Sequence, residues 1–484
     1  MKKYEKYKAV DEQWCSELPA HWVYLRLKRV LQERKERNNP IKTDFILSLT
    51  AKQGVVPHAE KEGAGGNKPK DDLTKYNVAQ IGDLLVNCMN VVSGAAGVSK
   101  WQGAISPVYY ALHPRCEEIN IRYYHYLFRL MPFQRSLLGL GKGIMMHESD
   151  EGVLTTVRMR IAMDYLNNVM LPVPPKFEQD QIVRYLDWQI SRIHKLIVAK
   201  RKQITLLVEQ RQSLIDSIVL YGLDKKRQMK PSEVDWINEI PAEWDITRFS
   251  RIYSFRKGLS ITKANLTEEG IPVISYGQVH SKTNFGTGIN DTLIRFVPPS
   301  YLETNRNALV ENGDFIFADT SEDFAGVGNS AYVDLDGDLF AGYHTIIAHP
   351  KKGRQTKYFA YLYQSSVWRF QLRRRVNGVK VFSITQRILK DTSVLIPPEE
   401  EQSEIVAYLD KHCFELNEAI KRINREILEC EELRVRIISD AISGKMDVQD
   451  INIPFYDAVG ETAIDDLDED EEIDEGIGEE YDEV

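Results

Sequence analysis

The densest cluster of side chains able to do chemistry is Arg373-Arg374-Arg375-Val376-Asn377-Gly378-Val379-Lys380, which sets four cations around an amide and a glycine. Guanidinium groups hold phosphate oxygens or fork onto guanine, and a carboxamide such as Asn377 pairs with adenine. A solvated helix end is the bland alternative. The same half of the chain adds Tyr276, Gln278, His280 and Lys282, then 319–321 with Ser321, Asn329 and His344. The first half offers Lys52 and Gln53, the run 87–93 with Asn87, Asn90 and Ser93, and Lys100 with Trp101. Lys142 and His147 lie in its glycine-bounded stretch 139–152, the counterpart of the arginine run. Amides, hydroxyls, cations and aromatics in this mixture suit base edges and a phosphate backbone. Singly, each fits a turn or a core equally well, so only the clustering carries weight.

Signatures of other chemistry do not form. Gly139-Leu-Gly-Lys142-Gly143 lacks the hydroxyl that follows lysine in a phosphate loop. Pro298-Pro299-Ser300-Tyr301 is not the Asn/Asp-Pro-Pro-Tyr of adenine methylation, and no HExxH occurs. His344 and His349, five apart on an expected strand, face opposite ways and make poor joint ligands. Asp334-Leu-Asp336-Gly337-Asp338 hints at a calcium loop, but its twelfth position is Thr345, so a hairpin turn is expected instead.

Of 484 residues, 43% are hydrophobic and 27% charged, as in folded chains of two to four domains. The net charge of −9 hides an asymmetry: residues 449–484 hold sixteen acidic side chains and no Lys or Arg, so the remainder carries 62 basic against 55 acidic groups. A mildly basic body suits a polyanion. Five cysteines without a CxxC pair indicate neither a disulfide framework nor a zinc ribbon. With no signal-peptide pattern and no long apolar run, the expected location is cytoplasmic, with no membrane partner.

These candidates belong to a chain that repeats itself. Trp14 to Trp22, containing Leu18-Pro19-Ala20, matches Trp236 to Trp244, containing Ile240-Pro241-Ala242. Ile81-Gly82-Asp83 answers Asn312-Gly313-Asp314, Ala111 to Pro114 answers Ile347 to Pro350, and Arg122 to Leu127 answers Lys357 to Leu362. Pro174-Pro175-Lys-Phe-Glu178-Gln179 answers Pro397-Pro398-Glu-Glu-Glu401-Gln402. The order is kept while the offset wanders, as when a duplicated scaffold accepts insertions in its loops.

Each half opens with short β-rich runs, such as 45–49, 271–275 and 314–318, and short aromatic helices at 122–130 and 357–363. Each closes with a long helix beginning at its Pro-Pro pair. Seam positions alternate four and three: Leu186, Ile190, Ile193, Ile197, Lys200, Ile204, Leu207, Arg211, Leu214, Ile218, Tyr221, and then Leu409, Cys413, Leu416, Ile420, Ile423, Ile427, Cys430, Arg434, Ile437, Ala441. That spacing predicts a coiled coil, with Arg211 and Arg434 snorkelling or fixing register. The linker between the halves is short, so the second helix is expected to run back along the first. The expected fold class is α+β: two globular domains separated by two long helices in an antiparallel coiled coil, with a pseudo-twofold internal repeat.

The LPxxW residues Leu18 and Trp22, the two PPxxEQ helix starts and the duplicated rod resemble the specificity subunit of Type I restriction-modification systems. The resemblance covers residues 14–448 and departs at Ile240, where the family has Leu. It implies target-recognition domains at 1–173 and 236–396, long helices at 174–222 and 397–447, and a linker at 223–235. The acidic tail at 448–484 lies outside the pattern and is expected to be disordered. It further implies a non-catalytic subunit that binds double-stranded DNA, reads one half of a bipartite site with each domain, and uses the rod as a ruler. The implied partners are two methyltransferase (modification) subunits and restriction/translocase subunits. No cofactor or metal is expected in this chain; S-adenosylmethionine, ATP and Mg belong on the partners. The competing expectation is a scaffold or decoy that organises methyltransferase subunits while its acidic tail mimics DNA.

Overall fold

The computed structural model describes residues 2–456, except 51–52, 62–68, 71, 90–94, 144–146, 149–153, 156–158, 233, 235–236, 354–355, 377 and 379–380. The chain divides into two compact units, Met1–Arg201 with Asn424–Val484, and Lys202–Ile423.

In the first unit a four-stranded antiparallel sheet runs Leu31–Glu33, Tyr109–Pro114, Leu84–Asn87, Ala96–Val98 in spatial order. Leu112 pairs with Leu84 on one side and Glu33 on the other. The helices Ile121–Arg129 and Met131–Ser136 follow, with Tyr123, Tyr124, Phe128 and Phe133 fully buried. Two further strand pairs, Leu47–Thr50 with Gly54–Pro57 and Asn77–Ala79 with Gly103–Ile105, lie outside that sheet. The run expected as a strand from Phe45 pairs as a regular strand only from Leu47; Ile46 forms an isolated parallel bridge with Ala104, and Phe45 is 41% exposed.

The second unit repeats the sheet order with Tyr253–Lys257, Thr345–Pro350, Phe315–Ala318 and Ser330–Tyr332. Lys357–Gln364 and Ser366–Arg373 follow as helices. The core is an aromatic stack in which Phe249 and Tyr253 lie 4.5 Å apart, as do Tyr363 and Trp368. Its added element is a mixed four-stranded sheet in which Ile271–Ile274 runs parallel to Leu339–Ala341. Residues 334–338 therefore do not close a hairpin, since Ser330–Tyr332 and Leu339–Ala341 belong to different sheets. His344 precedes its strand with φ +53°, and its side chain and that of His349 meet different aspartates, Asp319 and Asp314.

The long helices run Lys176–Tyr221 and Glu399–Ile442. Every expected seam position is at least half-buried except Tyr221, which is exposed where the helix ends. In the first unit Lys200 reaches Glu426 at 2.5 Å. In the second, Arg211 Nη1 donates to Asn417 Oδ1 at 2.7 Å, and its guanidinium lies 5.3 Å from the Phe285 ring centroid. Gly222 and Gly444 end the helices, both at φ +70°. A Cβ on Gly222 would sit 2.5 Å from Glu401 Oε1, and one on Gly444 would strike Pro19, so each position demands both glycine's backbone and its missing side chain.

The paired proline-glutamine motif has a structural cause. Gln179 Nε2 donates to Pro174 O at 2.8 Å and Gln402 Nε2 to Pro397 O at 2.9 Å, tying each helix to the strand before it. Glu178 Oε2 accepts from Trp22 Nε1 and Glu401 Oε2 from Trp244 Nε1, both at 2.8 Å. Tyr123 Oη donates to Ile442 O, and Tyr358 Oη to Val219 O.

Candidate nucleic-acid interface

In the second unit, four segments meet around His280. Helix Tyr276–His280 is capped by Ser275, whose N–H donates to Gln278 Oε1 at 3.1 Å. Strand Thr320–Ser321 pairs with Phe382–Ser383. The loop after it, 322–329, packs against helix Ser366–Arg373 through Asn329 and Ala325.

His280 Nε2 lies 2.8 Å from Thr320 O, and Nδ1 lies 3.0 Å from Asn329 Nδ2. A carbonyl only accepts, so the proton belongs on Nε2 while Nδ1 accepts from the Asn329 amide. Asn329 Oδ1 in turn accepts from Arg369 Nη1 at 2.7 Å; Arg369 also donates to Tyr363 O and Gln364 Oε1. Burial lowers the Arg369 guanidinium to about 9, which leaves it cationic at neutral pH. The network is satisfied only with neutral His280 and one orientation of Asn329, so it holds the loop in one conformation.

Arg373 Nη2 donates to Ala325 O at 2.5 Å, and the guanidinium lies 6.0 Å from the centroid of the Phe324 ring. Arg374 is exposed, over the Phe370 ring at 5.5 Å, and Arg375 is exposed beside it. Neither Arg374 nor Arg375 meets a carboxylate among the described residues. Asn377 and Lys380 lie outside those residues.

The other expected residues of this unit divide into spent and available side chains. Ser321 is buried, its hydroxyl donating to Asp323 O at 2.7 Å, and Gln278 is committed to its helix cap. Tyr276 is half-buried, edge-on to His280, Tyr343 and His344. His344 is exposed, with Nδ1 3.3 Å from Asp319 Oδ1. Lys282 is exposed.

In the first unit, Asn87 is 9% exposed, and its Oδ1 accepts from Met89 N at 3.0 Å, a turn-forming bond. Gln53 sits in the turn after Thr50, whose hydroxyl accepts from its N–H at 2.8 Å. Lys100 is exposed, and Trp101 packs on the cluster of Leu47, Leu49 and Val55. The backbones of Lys142 and His147 pair with Arg160 and Thr155; their side chains, with Lys52, Asn90 and Ser93, lie outside the described residues.

Sequence reasoning missed Arg369 and Phe324. Arg369 stands four residues before Arg373 on one helix face, a spacing that could have flagged it. Phe324 carried the weaker signal of an aromatic between Asp323 and Gly326.

Residues 241–429 match the family described as the Type I restriction modification DNA specificity domain. Over 446 residues the chain is 23% identical to the putative type I restriction enzyme MjaX specificity subunit of Methanocaldococcus jannaschii, covering 90% of this chain and 95% of that one. The type I restriction enzyme MjaVIII specificity subunit of the same organism is 24% identical over 288 residues. These matches make the chain similar to Type I restriction-modification specificity subunits. The MjaVIII match covers 59% of this chain and 64% of that subunit, just under two thirds of its length. A solved chain from work on complex assembly and conformational transition of the type I R-M system shares the fold of this chain. Its TM-score is 0.61 at 16% identity, with 89% of this chain and all of that one covered.

Proposed function

We propose that the chain is the DNA-reading subunit of a Type I restriction-modification complex and has no catalysis of its own. Each of its two target-recognition domains reads one half of a bipartite site, and the antiparallel pair of long helices sets the gap. The observation that supports this reading is one frame with two different fittings. Trp22–Glu178 and Trp244–Glu401, Tyr123–Ile442 and Tyr358–Val219, recur bond for bond. The strands added to those frames do not: one unit adds the pairs Leu47–Thr50 with Gly54–Pro57 and Asn77–Ala79 with Gly103–Ile105, the other a mixed four-stranded sheet. A repeated frame supplies equivalent attachment, while unlike loops supply unlike base contacts. A helix of 46 residues is about 70 Å long, about the rise of two turns of B-DNA.

In this reading two methyltransferase subunits carry S-adenosylmethionine and modify adenine. Restriction subunits carry ATP and Mg. This chain chooses the sequence for both. The test is to map methylated adenines in DNA exposed to the assembled complex. A split motif with a fixed gap is expected; methylation at a contiguous or unrelated set of adenines refutes the reading.

A further inference from the structure

The loop 322–329 is held more tightly than a surface connection requires. Ser321 Oγ donates to Asp323 O at 2.7 Å, Gly326 N donates to the Asp323 carboxylate, and Asn329 N donates to Gly326 O at 2.9 Å. Arg373 holds Ala325 O from the neighbouring helix. Gly326 is pressed so close to the layer beneath that a Cβ there would lie 2.6 Å from Ser321 Oγ and 3.0 Å from His280 Nδ1. At the tip of this braced loop stands Phe324, 51% exposed. Phe382 meets it edge-on at 5.5 Å and the Arg373 guanidinium lies 6.0 Å from its ring centroid.

A single exposed phenylalanine is ordinary on a protein surface. What distinguishes this one is that folding has already ordered both its backbone and its ring neighbours, so a ligand would meet a preorganised apolar contact. Arg373 lies beside it, and the exposed Arg374 and Arg375 follow at the end of the same helix, a charge that suits a polyanion. Glu322 and Asp323 on the loop itself are exposed and acidic, unsuited to lie against phosphates. The loop tip therefore suits base edges, while the arginines suit the backbone on either side. Among those edges the apolar feature of the major groove is the C5-methyl of thymine.

We propose that Phe324 is a specificity-determining residue that packs against a thymine C5-methyl in the half-site read by the second unit. The inference rests on the DNA-reading function proposed above.

The experiment uses the full chain assembled with its methyltransferase subunits and a duplex carrying the mapped motif, each thymine replaced in turn by deoxyuridine. One replacement is expected to weaken wild-type binding about fourfold, the contribution of one buried methyl. Phe324→Ala should weaken binding to unmodified DNA by a similar or larger factor, keep the salt slope, and become blind to that same replacement. Phe324→Leu should restore part of the discrimination. An unchanged melting temperature separates lost contact from lost folding. If the wild-type complex shows no preference for any motif, the DNA-reading function itself fails. If the complex reads its motif but Phe324→Ala matches wild type on every deoxyuridine duplex, or the half-site contains no thymine, the assignment of Phe324 is overturned. It is equally overturned if Phe324→Ala loosens the methyltransferase subunits while DNA affinity is unchanged, since the ring would then face protein.

Discussion

Glu178 and Glu401 occupy the same place in the two units yet face different donors, so one substitution should have two different costs. Glu178 is 1% exposed; Oε2 accepts from Trp22 at 2.8 Å and Tyr4 at 3.0 Å, and Oε1 lies 2.6 Å from His21 Nε2. In Glu178→Gln the amide oxygen can take the Oε2 position and keep both donors, while the NH2 donates to a neutral His21. Only the charge assistance of the bonds is lost, about 1–2 kcal/mol. Glu401 accepts from Trp244 at 2.8 Å and from both Nη1 and Nη2 of Arg227. In Glu401→Gln the NH2 has to face a guanidinium, donor against donor. Arg227, 15% exposed, is left with Glu243 at 3.5 Å, a carboxylate that is itself 75% exposed. Breaking a buried ion pair costs about 3–5 kcal/mol, reduced here to about 2–4 by the residual solvent and Glu243. For units of this size each kcal/mol moves the midpoint about 2–4 °C. At about 3 °C per kcal/mol, Glu401→Gln should therefore lower the melting temperature by roughly 6–12 °C and Glu178→Gln by roughly 3–6 °C. Thermal unfolding should be read with hydrogen exchange resolved to each unit, because a two-unit chain need not melt in one step. Equal shifts, or a larger one at Glu178, would refute the reasoning.

Arg374→Ala should weaken DNA binding several-fold and flatten the log-log salt dependence by about one unit, as loss of one phosphate contact requires; an unchanged slope removes Arg374 from the interface. His125 is held neutral by burial, with Arg129, Arg122 and Lys100 adding to the effect, its imidazole pushed down to about 3. The unfolded chain takes up that proton from about pH 6.5 downward while the folded chain does not, so stability falls as pH drops from about 6.5 toward 3, by up to about 1.4 kcal/mol per pH unit. His125→Phe, which keeps a ring against Tyr126, should flatten this acid limb in pH-dependent denaturation; an unaltered limb refutes the assignment. Removing residues 457–484 should leave DNA affinity nearly unchanged, whereas a large gain would favour a tail that competes with DNA. The cut belongs there because Val448 is buried and the carbonyls of Val448 and Ile451 accept from Gln181.

The long helices were legible in the sequence because their signal is local: four-three spacing and a Pro-Pro start each act within one or two turns. The internal repeat was legible for a related reason, since Trp22 and Glu178 recur as Trp244 and Glu401 wherever the same bond has to be made. What the residues could not disclose was which polar side chains remain available. Asn87, Gln278 and Ser321 have the composition of base readers, but Met89, Ser275 and Asp323 in their own turns occupy them. The loop that presents Phe324 is braced from much farther along the chain, by His280 on Asn329, Arg369 on Asn329 and Arg373 on Ala325. Those partners stand 49, 40 and 48 residues apart, and hydrogen bonds at such separation leave no periodic trace in a sequence. Local spacing wrote the scaffold, whereas the surface proposed to read DNA exists only once folding brings distant donors and acceptors within about 3 Å of one another.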